Sequence, residues 1–327
     1  MSTARSRRRL RRQQRVEIET VDHYRIVDQT LGGANVKDFL EDPANGDRYI
    51  AKLGRRNSDL EVVTEYIIYL AGRRLGVRAA EAKIATFQGH LRFLSKYFLN
   101  PTRNEELVHG IQLFQQLYDE ALMQNVIGDE AQEQAMFTVQ AILNAFGAHY
   151  TEFGQDVQTN LFRGLVDMIV HDAVIGLQDR HHSNWGVIVN RGKAGPPPRF
   201  APLYDSARGL FCSEPDADLR SRYSGTAGEQ RLEGYAARSK PLIGFDGLFP
   251  LKGRKHITHD QLVGALYHNF TASRVRIRAI LDRCDFRRLP GDIRTRMGSR
   301  CSGYRIGLIL TLLRRRVSLL KRAIGAS

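Results

Sequence analysis

An acid and an amide stand five residues apart in the segment DRHHSN, residues 179–184, directly before the apolar run WGVIV. The loop RGKAGPPP then leads to a second apolar stretch, RFAPLYD, and this pattern predicts an antiparallel hairpin. Asn184 precedes the first strand and Asp205 follows the second, while neighbouring strands lie about 4.8 Å apart. Pairing should therefore bring an amide oxygen and a carboxylate together, and Mg²⁺ accepts both as ligands beside substrate phosphates.

Asp179 supplies a second carboxylate, on the loop at the same mouth of the predicted hairpin. Phosphoryl transfer needs metal ions on the phosphates and a separate carboxylate that orients and deprotonates the attacking hydroxyl. The interval from Asp179 to Asn184 equals the Asp-to-Asn interval of the protein-kinase catalytic loop. That interval is weak evidence alone, and it is the hairpin with its own acid that favours a phosphotransferase site.

The apolar strand RYIAKLG contains a cation suited to nucleotide phosphates, Lys52, in the manner of the kinase VAIK strand. An ordinary lysine at the end of a strand explains the same pattern without any function. The spacing of SDLEVVTEYIIYLAGRRLGV predicts a helix that begins after Ser58. This helix offers Glu65 as the carboxylate that holds Lys52, whereas Glu61 fits better as the capping-box partner of Ser58.

The segment TLGGANVKDF, residues 30–39, lies before that strand and contains two adjacent glycines, Gly32 and Gly33. Because glycines have no side chain, they let main-chain amides approach phosphate oxygens closely. Lys37 adds a positive charge near the end of the segment. The pattern matches neither a Walker loop nor GxGxxG, so a plain turn between strands explains it equally well.

Two sequence textures divide the chain into predicted lobes. The first hundred residues favour strands, with VEIETVDHYRIVDQ and RYIAKLG on either side of the turn EDPANGD and two more around Gln88 and Gly89. Helical spacing dominates afterwards, as in GIQLFQQLYDEALMQNV and DVQTNLFRGLVDMIVHDAVIG. We therefore expect an α+β, two-lobed protein-kinase-like fold. Its parts would be a disordered tail at 1–17, a small β-rich N-lobe at 18–100 and a larger, mainly helical C-lobe at 101–327.

Charge and cysteine content limit the kinds of protein that this chain can be. The net charge is +14, and seven arginines within residues 1–15, with no acid among them, supply half of it. This tail is either a solvated extension or an arm that binds nucleic acid or a partner protein. Three scattered cysteines and no apolar run of about 18 residues predict a cytoplasmic protein without a disulfide framework or a transmembrane segment. The amphipathic C-terminal helix is expected to pack on its lobe more readily than on a membrane.

Taken together, these segments resemble the HipA-like serine/threonine protein kinases over about residues 25–325. TLGGANVK is similar to their phosphate-contacting loop, which implies roles for Ala34 and Asn35 beside the glycines and makes Thr30 a candidate for autophosphorylation. YIAKLG is similar to the strand of the nucleotide lysine, and TEYIIYLAGRRLGV to the helix with its acidic residue. IGLQDRHHSNWGV resembles the catalytic loop, and APLYD the segment of the metal-binding aspartate.

The resemblance implies an ATP- and Mg²⁺-dependent kinase that phosphorylates a protein hydroxyl and also itself. Asp179 would be the catalytic base, Asn184 and Asp205 would bind Mg²⁺, and Lys52 would bind the ATP phosphates. The longer HipA toxins have an additional N-terminal subdomain, and because the predicted sheet follows the tail almost at once, we do not expect that subdomain in this sequence. An antitoxin-like or nucleic-acid partner of the basic tail is therefore an open hypothesis, and so is the identity of the protein substrate.

The loop that carries the predicted base departs from the family pattern at one position. Ser183 stands where the family usually has a lysine, so Arg180 or His181 would have to neutralise the γ-phosphate, and we expect His181 to contact it. DRH followed by an asparagine also resembles phosphoinositide kinases, which leaves a lipid or small-molecule kinase as an alternative. A non-catalytic regulator that binds nucleotide or nucleic acid is a third interpretation.

Overall fold

The computed structural model describes residues 17–27, 37–55, 58–192 and 195–326. Within them, an antiparallel sheet with one helix forms a smaller N-terminal lobe, and a mainly helical part forms a larger C-terminal lobe. Lys52 of the first lobe contacts Asp205 of the second, so the lobes meet at the predicted site. The α+β, two-lobed fold expected from the sequence is confirmed.

The sheet of the N-terminal lobe is antiparallel throughout. Its strands are β1 (Arg25–Ile26), β2 (Lys37–Glu41), β3 (Arg48–Leu53), β4 (Ala82–Phe87) and β5 (His90–Lys96), in the spatial order β1-β2-β3-β5-β4. The sequence predicts strand over VEIETVDHYRIVDQ, and the extent of that prediction is wrong. The described part of this segment forms only the two-residue strand β1 and a bridge from Thr20 to Thr86. Across the tight turn at residues 42–47, β3 pairs instead with β2, and on its other side it pairs with β5.

Helix α1 (Asp59–Leu75) packs its apolar face on β4 and β5. It ends at Gly76, whose φ of +68° is left-handed and therefore suits glycine. The predicted capping box is wrong. The N–H of Ser58 already donates to the carbonyl of Arg55 at 3.0 Å, and Glu61 Oε2 accepts the main-chain N–H of Arg55 at 2.8 Å.

A second antiparallel sheet carries the predicted hairpin. It consists of β6 (Glu105–His109), β7 (Gly186–Asn190) and β8 (Arg199–Phe200), in that order. We expected β8 to continue to Asp205, but it ends early because Pro202 has no N–H to donate to the ladder. Leu203 pairs instead with the N-terminal lobe, donating to the carbonyl of Arg78 at 2.8 Å and accepting from Ala80 at 2.9 Å.

Helices account for most of the remaining described residues. They are α2 (Gly110–Gln115), α3 (Glu120–Val126), α4 (Glu130–Met136), α5 (Val139–Tyr150), α6 (Gln155–Ile175), α7 (Asp216–Tyr223), α8 (Gly225–Ala237), α9 (His259–Asn269), α10 (Thr271–Asp282), α11 (Leu289–Met297) and α12 (Gly303–Ala323). The segment GIQLFQQLYDEALMQNV forms two helices, because the carboxylate of Asp119 accepts the N–H of Ala121 and starts α3. Helix α6 is central and contacts α5, α9, α10 and α12.

The amphipathic C-terminal helix α12 packs on its own lobe, against α6, α8 and α9. Two of its arginines, Arg305 and Arg316, are buried together with the apolar face. Arg305 donates to the carboxylate of Asp216 at 2.8 Å, and Arg316 donates to the carbonyl of Ile175 at the end of α6. None of the helices in the described ranges is long and apolar enough to cross a membrane.

Candidate active site

Lys52, near the end of β3, contacts two carboxylates at once. Its Nζ lies 2.6 Å from Glu65 Oε1 on α1 and 3.0 Å from Asp205 Oδ1. Burial would lower the pKa of Lys52, but Glu65 and Asp205 raise this pKa well above its ordinary value. Burial also raises the pKa of Glu65, and the lysine charge opposes that shift. Lys52 is therefore held protonated, and the ion pair with α1 expected from the sequence is present.

Asp205 reaches Lys52 through the main chain that precedes it. Its φ of +50° is left-handed, which is uncommon for a residue with a side chain, and the pairing of Leu203 with the N-terminal lobe holds the segment there. Lys37, at the start of β2, places its Nζ 3.5 Å from Asp205 Oδ2. Burial would raise the pKa of Asp205, but Lys52 and Lys37 lower it far below its usual range. The carboxylate is therefore ionised, and two lysines contact it.

Asn184 is oriented by the loop of residues 178–184. Its Nδ2 donates to the main-chain carbonyl of Asp179 at 2.7 Å, and its N–H donates to the carbonyl of His181 at 2.9 Å. A carbonyl can only accept hydrogen bonds, so the amide nitrogen must face Asp179 and the amide oxygen faces away. The buried side chain thus offers one oxygen in a fixed direction.

Arg180 is a buried residue that joins the loop of Asn184 to the segment of Asp205 by hydrogen bonds. Its Nη1 donates to the main-chain carbonyls of Asn184 at 2.8 Å and Tyr204 at 2.6 Å, and its Nη2 donates to Ser206 Oγ at 2.8 Å. The side chain is 3% exposed. The suggestion that Arg180 neutralises the γ-phosphate is therefore wrong, because its guanidinium is buried and engaged with the protein. It acts instead on the main chain that carries Asn184 and Asp205.

Asp172, on the last turn of α6, is the acid that pairs with Arg180. Its Oδ2 accepts from Arg180 Nε at 2.8 Å, and its Oδ1 accepts from Arg180 Nη2 at 3.1 Å and lies 2.9 Å from Nδ1 of His171. Burial would raise the pKa of Asp172, but Arg180 lowers it to about 2. Sequence reasoning missed this acid. The signal was a polar pair inside the apolar run DMIVHDAVIG, since buried polar groups require partners.

Asp179, the predicted base, lies at the mouth of the site with a side chain that is 31% exposed. Its Oδ2 is 3.3 Å from Nε of Arg208, a half-exposed residue that was not predicted as part of the site. His181 is half-buried on the same loop, and its Nδ1 accepts the N–H of Ser183 at 3.2 Å. Both predicted residues therefore lie where a ligand can reach them from solvent.

Of the phosphate-contacting residues predicted in the segment 30–37, the structure describes Lys37. Lys37 lies beside Asp205, whereas Thr30, Gly32, Gly33, Ala34 and Asn35 fall outside the described residues. Direct contacts join Lys52 to Glu65 and Asp205, and Lys37 to Asp205. Asn184 is linked to this group through Arg180, which binds the main-chain carbonyls of Asn184 and of Tyr204, the residue before Asp205.

The donors in this cleft fit a magnesium ion that is shared with phosphates. Mg²⁺ is usually held by one or two carboxylates, with waters and substrate phosphates completing its coordination. An ionised Asp205 and the directed amide oxygen of Asn184 are donors of the kinds that Mg²⁺ accepts. In the described part of the chain, no three His, Cys, Asp or Glu residues lie together as a metal site, so a cage of the zinc type is not the arrangement found there.

The fold has the two lobes of a kinase-like protein. The HipA-like C-terminal domain family matches residues 29–241, about two thirds of the chain, and the chain therefore belongs to this family. No curated protein sequence matches the chain.

Two solved structures share the fold at low sequence identity. The proinflammatory kinase CtkA of Helicobacter pylori is similar with a TM-score of 0.70 and 20% identity, over 95% of this chain and 100% of that one. HipA of Shewanella oneidensis MR-1, in a toxin–antitoxin complex with HipB and operator DNA, is similar with a TM-score of 0.50 and 10% identity. That likeness covers 91% of this chain and 66% of HipA. The membership and these structures support a kinase-type protein.

Proposed function

We propose that this protein is an ATP- and Mg²⁺-dependent serine/threonine protein kinase that transfers the γ-phosphate to a protein hydroxyl and to its own Thr30. The observation that carries the proposal is the position of Lys52 between Glu65 and Asp205. A protonated lysine held by a helix carboxylate beside a metal-binding aspartate is the arrangement that kinases use to hold ATP phosphates. Family membership agrees with that assignment.

Each side chain of the cleft has a defined part in this proposal. Lys52 binds the α- and β-phosphates, and Glu65 keeps its ammonium in place. Asp205 and Asn184 hold Mg²⁺, which when bound neutralises charge on the phosphates. Asp179 accepts the proton of the acceptor hydroxyl and orients that hydroxyl for in-line attack.

His181 and Lys37 are proposed to contact the phosphates from opposite lobes. His181 lies two residues after Asp179 and neutralises the γ-phosphate in place of the usual family lysine. Ser183, which stands at the position of that lysine, carries no charge. Lys37 lies 3.5 Å from Asp205 and adds positive charge on the side of β2. Gly32, Gly33, Ala34 and Asn35 are proposed to contribute main-chain and amide donors to the same phosphates.

The ion pair between Asp179 and Arg208 must open before the acceptor hydroxyl can reach Asp179. Arg208 pairs with its carboxylate at 3.3 Å, and a hydroxyl must take that place before Asp179 can accept a proton. Both side chains are partly exposed, and ion pairs of this kind contribute only about 0–1 kcal/mol. Binding of an acceptor can therefore displace Arg208 at low cost.

The test is the intact mass of the purified protein before and after incubation with Mg²⁺ and ATP. We expect phosphate on the wild type and none on Asp179→Ala, with phosphopeptide mapping placing it at Thr30. Asp246→Ala, which changes an exposed aspartate in a distant loop, serves as the matched control and should behave like the wild type. Phosphate on a lipid or a small molecule, with none on protein, would contradict the proposed acceptor class.

A partner protein is proposed on the evidence of the solved HipA structure, which was obtained with HipB and operator DNA. The arginine-rich segment 1–15 is the part of this chain proposed to bind such a partner or its nucleic acid. Replacing its seven arginines by glutamine should weaken that association in a salt-dependent way. Unchanged affinity after the replacement would remove the tail from the interface.

A further inference from the structure

The positive charge of the chain is concentrated in its C-terminal helices as well as in its tail. Residues 271–327 contain fifteen arginines and lysines against three aspartates, a net charge of +12, whereas residues 17–270 carry a net charge of −5. This basic segment includes α10, α11 and α12, and it lies outside the part of the chain that matches the HipA-like domain family. Its charge therefore calls for an explanation separate from the proposed kinase site.

Part of this charge lines two connected grooves where α10 and α11 meet α1. One groove, of about 560 Å³, is lined by Arg74, Arg283, Asp285, Arg287 and Arg288. The other, of about 310 Å³, is lined by Leu70, Arg73, Arg74, Asp292 and Arg296. The two share Arg74, so six arginines and two aspartates form a continuous surface. We call these six arginines the arginine seam.

The arginine seam is held in place by contacts between α1 and the C-terminal helices. Arg74 Nε donates to Asp292 Oδ2 at 3.1 Å, and Arg296 Nη1 donates to the hydroxyl of Tyr66 at 3.3 Å. Arg283 lies over Gly76, at the end of α1, so closely that a Cβ on that glycine would be 2.5 Å from Arg283 Nη1. The grooves are therefore built between packed helices and are not a loose run of surface charge.

Positive charge in the seam exceeds the acids available to pair with it. Asp292 pairs with Arg74, and Asp285 pairs with Arg287 at 2.8 Å. Within the described ranges, Arg73, Arg283 and Arg288 form no ion pair with any carboxylate. Because two aspartates face six guanidinium groups, the seam has a local excess of positive charge, which an anionic ligand would neutralise.

We propose that the arginine seam binds the phosphate backbone of a single-stranded nucleic acid. Guanidinium forks match phosphate oxygens in pairs, and successive phosphates along a strand would engage several of the six arginines at once. A single phosphorylated side chain could not use so many. A membrane is disfavoured because the seam is concave, and Leu70, its one apolar lining residue, is 5% exposed and cannot insert into lipid.

The experiment measures the affinity of the full chain for a fluorescein-labelled single-stranded 20-nucleotide DNA by anisotropy, between about 50 and about 200 mM salt. The variant is Arg287→Ala with Arg288→Ala, two exposed residues of the loop between α10 and α11. Each single-strand phosphate that the protein no longer neutralises lowers the salt slope by about 0.7, so a decrease of about 1.4 and a Kd about tenfold weaker are expected.

The control is Arg231→Ala with Arg238→Ala, which removes the same charge from exposed positions on α8 and directly after it. It should change Kd and the salt slope far less, and since the tail is intact in both variants, its contribution cancels. Arg287→Lys with Arg288→Lys should retain most of the affinity, which would show that the weaker binding of the alanine variant is not a folding defect.

Equal effects of the seam variant and the α8 control would overturn the proposal, because charge alone would then account for binding. So would a seam variant that no longer binds phosphatidylserine vesicles or a phosphopeptide but keeps its affinity for the oligonucleotide. Binding at the seam does not depend on phosphoryl transfer, so Asp179→Ala should bind the oligonucleotide like the wild type.

Discussion

The ammonium of Lys52 lies 2.6 Å from the carboxylate of Glu65, and both side chains are buried between the N-terminal sheet and α1. This contact fixes α1 relative to β3, and Asp205 joins it from the other lobe at 3.0 Å. A buried charge pair is expensive to form, because both groups lose water. Its position at the meeting point of the two lobes is explained by the function that we propose for Lys52.

We expect Glu65→Gln to lower the rate of phosphoryl transfer by about 10²-fold, the usual cost of one misdirected electrostatic group in an active site. The amide cannot hold the Lys52 ammonium as a carboxylate does. The measurement is the initial rate of autophosphorylation at saturating ATP. Glu61→Gln, on the same helix, is the control, since Glu61 contacts the main chain of Arg55, and it should keep a rate near that of the wild type.

Arg180→Lys should raise the Mg²⁺ concentration needed for half-maximal activity and lower kcat by about 10²-fold, because an error of about 1 Å in a site can cost that much. A lysine cannot reproduce the fork that joins Asp172 to the carbonyls of Asn184 and Tyr204. The titration of activity with Mg²⁺ separates positioning from stability. Arg199→Lys, on β8, is the control, and an unchanged Mg²⁺ requirement in Arg180→Lys would show that Arg180 is structural only.

Gly164→Ala should destabilise the protein by about 1–3 kcal/mol through overpacking. A Cβ at this position of α6 would lie 2.3 Å from the Cβ of Phe200 on β8, and Phe200 stacks on Trp185 at a ring distance of 6.1 Å. Gly147→Ala, on α5, meets no atom within 4 Å and should stabilise by about 0.5–1 kcal/mol. Urea unfolding of the two variants measures both values, and equal effects would contradict this account of β8 packing.

His259 should make the protein less stable in mild acid. Burial lowers its pKa to about 4, its Nε2 lies 2.8 Å from the carbonyl of Leu177, and its Nδ1 is buried without a partner in the described structure. In the unfolded chain the pKa is about 6.5, so between these values the unfolded state binds more protons and stability falls as the pH falls. Protonation of this one histidine in the unfolded chain should lower the free energy of unfolding by about 2 kcal/mol between about pH 7 and pH 5.

The measurement for His259 is the free energy of unfolding in urea at both pH values, for the wild type and His259→Gln. Glutamine can still donate to Leu177 but does not take up a proton, so its pH dependence should be smaller by about 2 kcal/mol. His268→Gln changes an exposed histidine of the same helix and should leave the wild-type pH dependence in place. An equal pH dependence of His259→Gln and the wild type would contradict the assignment.

Local sequence signals predicted the elements that carry the cleft. Apolar alternation placed Lys52 on a strand, and helical spacing placed Glu65 on the next helix. In the structure the two side chains form the ion pair that this arrangement predicted. The hairpin after Asn184 was also predicted, although β8 is only two residues long. Short-range patterns succeed here because each element buries one face of its own.

Other features depended on contacts between distant segments. The splitting of residues 110–126 into α2 and α3 follows from one capping aspartate, Asp119, inside a helical pattern. The strand β6 forms only because β7 is beside it. The partner of Arg180 was missed because Asp172 lies on a helix whose spacing shows that the residue is buried but not what it pairs with.

The amino-acid sequence by itself determined the two-lobed α+β fold, the segments that form the cleft and the family to which the chain belongs. Those properties follow from periodicity and residue type, which act over a few residues. Only the tertiary structure decided that Asp205 is delivered by the pairing of Leu203 with the N-terminal lobe, that Arg180 is buried, and that six arginines from α1, α11 and the α10–α11 loop share one seam. Each of these depends on main-chain pairing or burial between residues far apart in the chain, which local patterns do not encode.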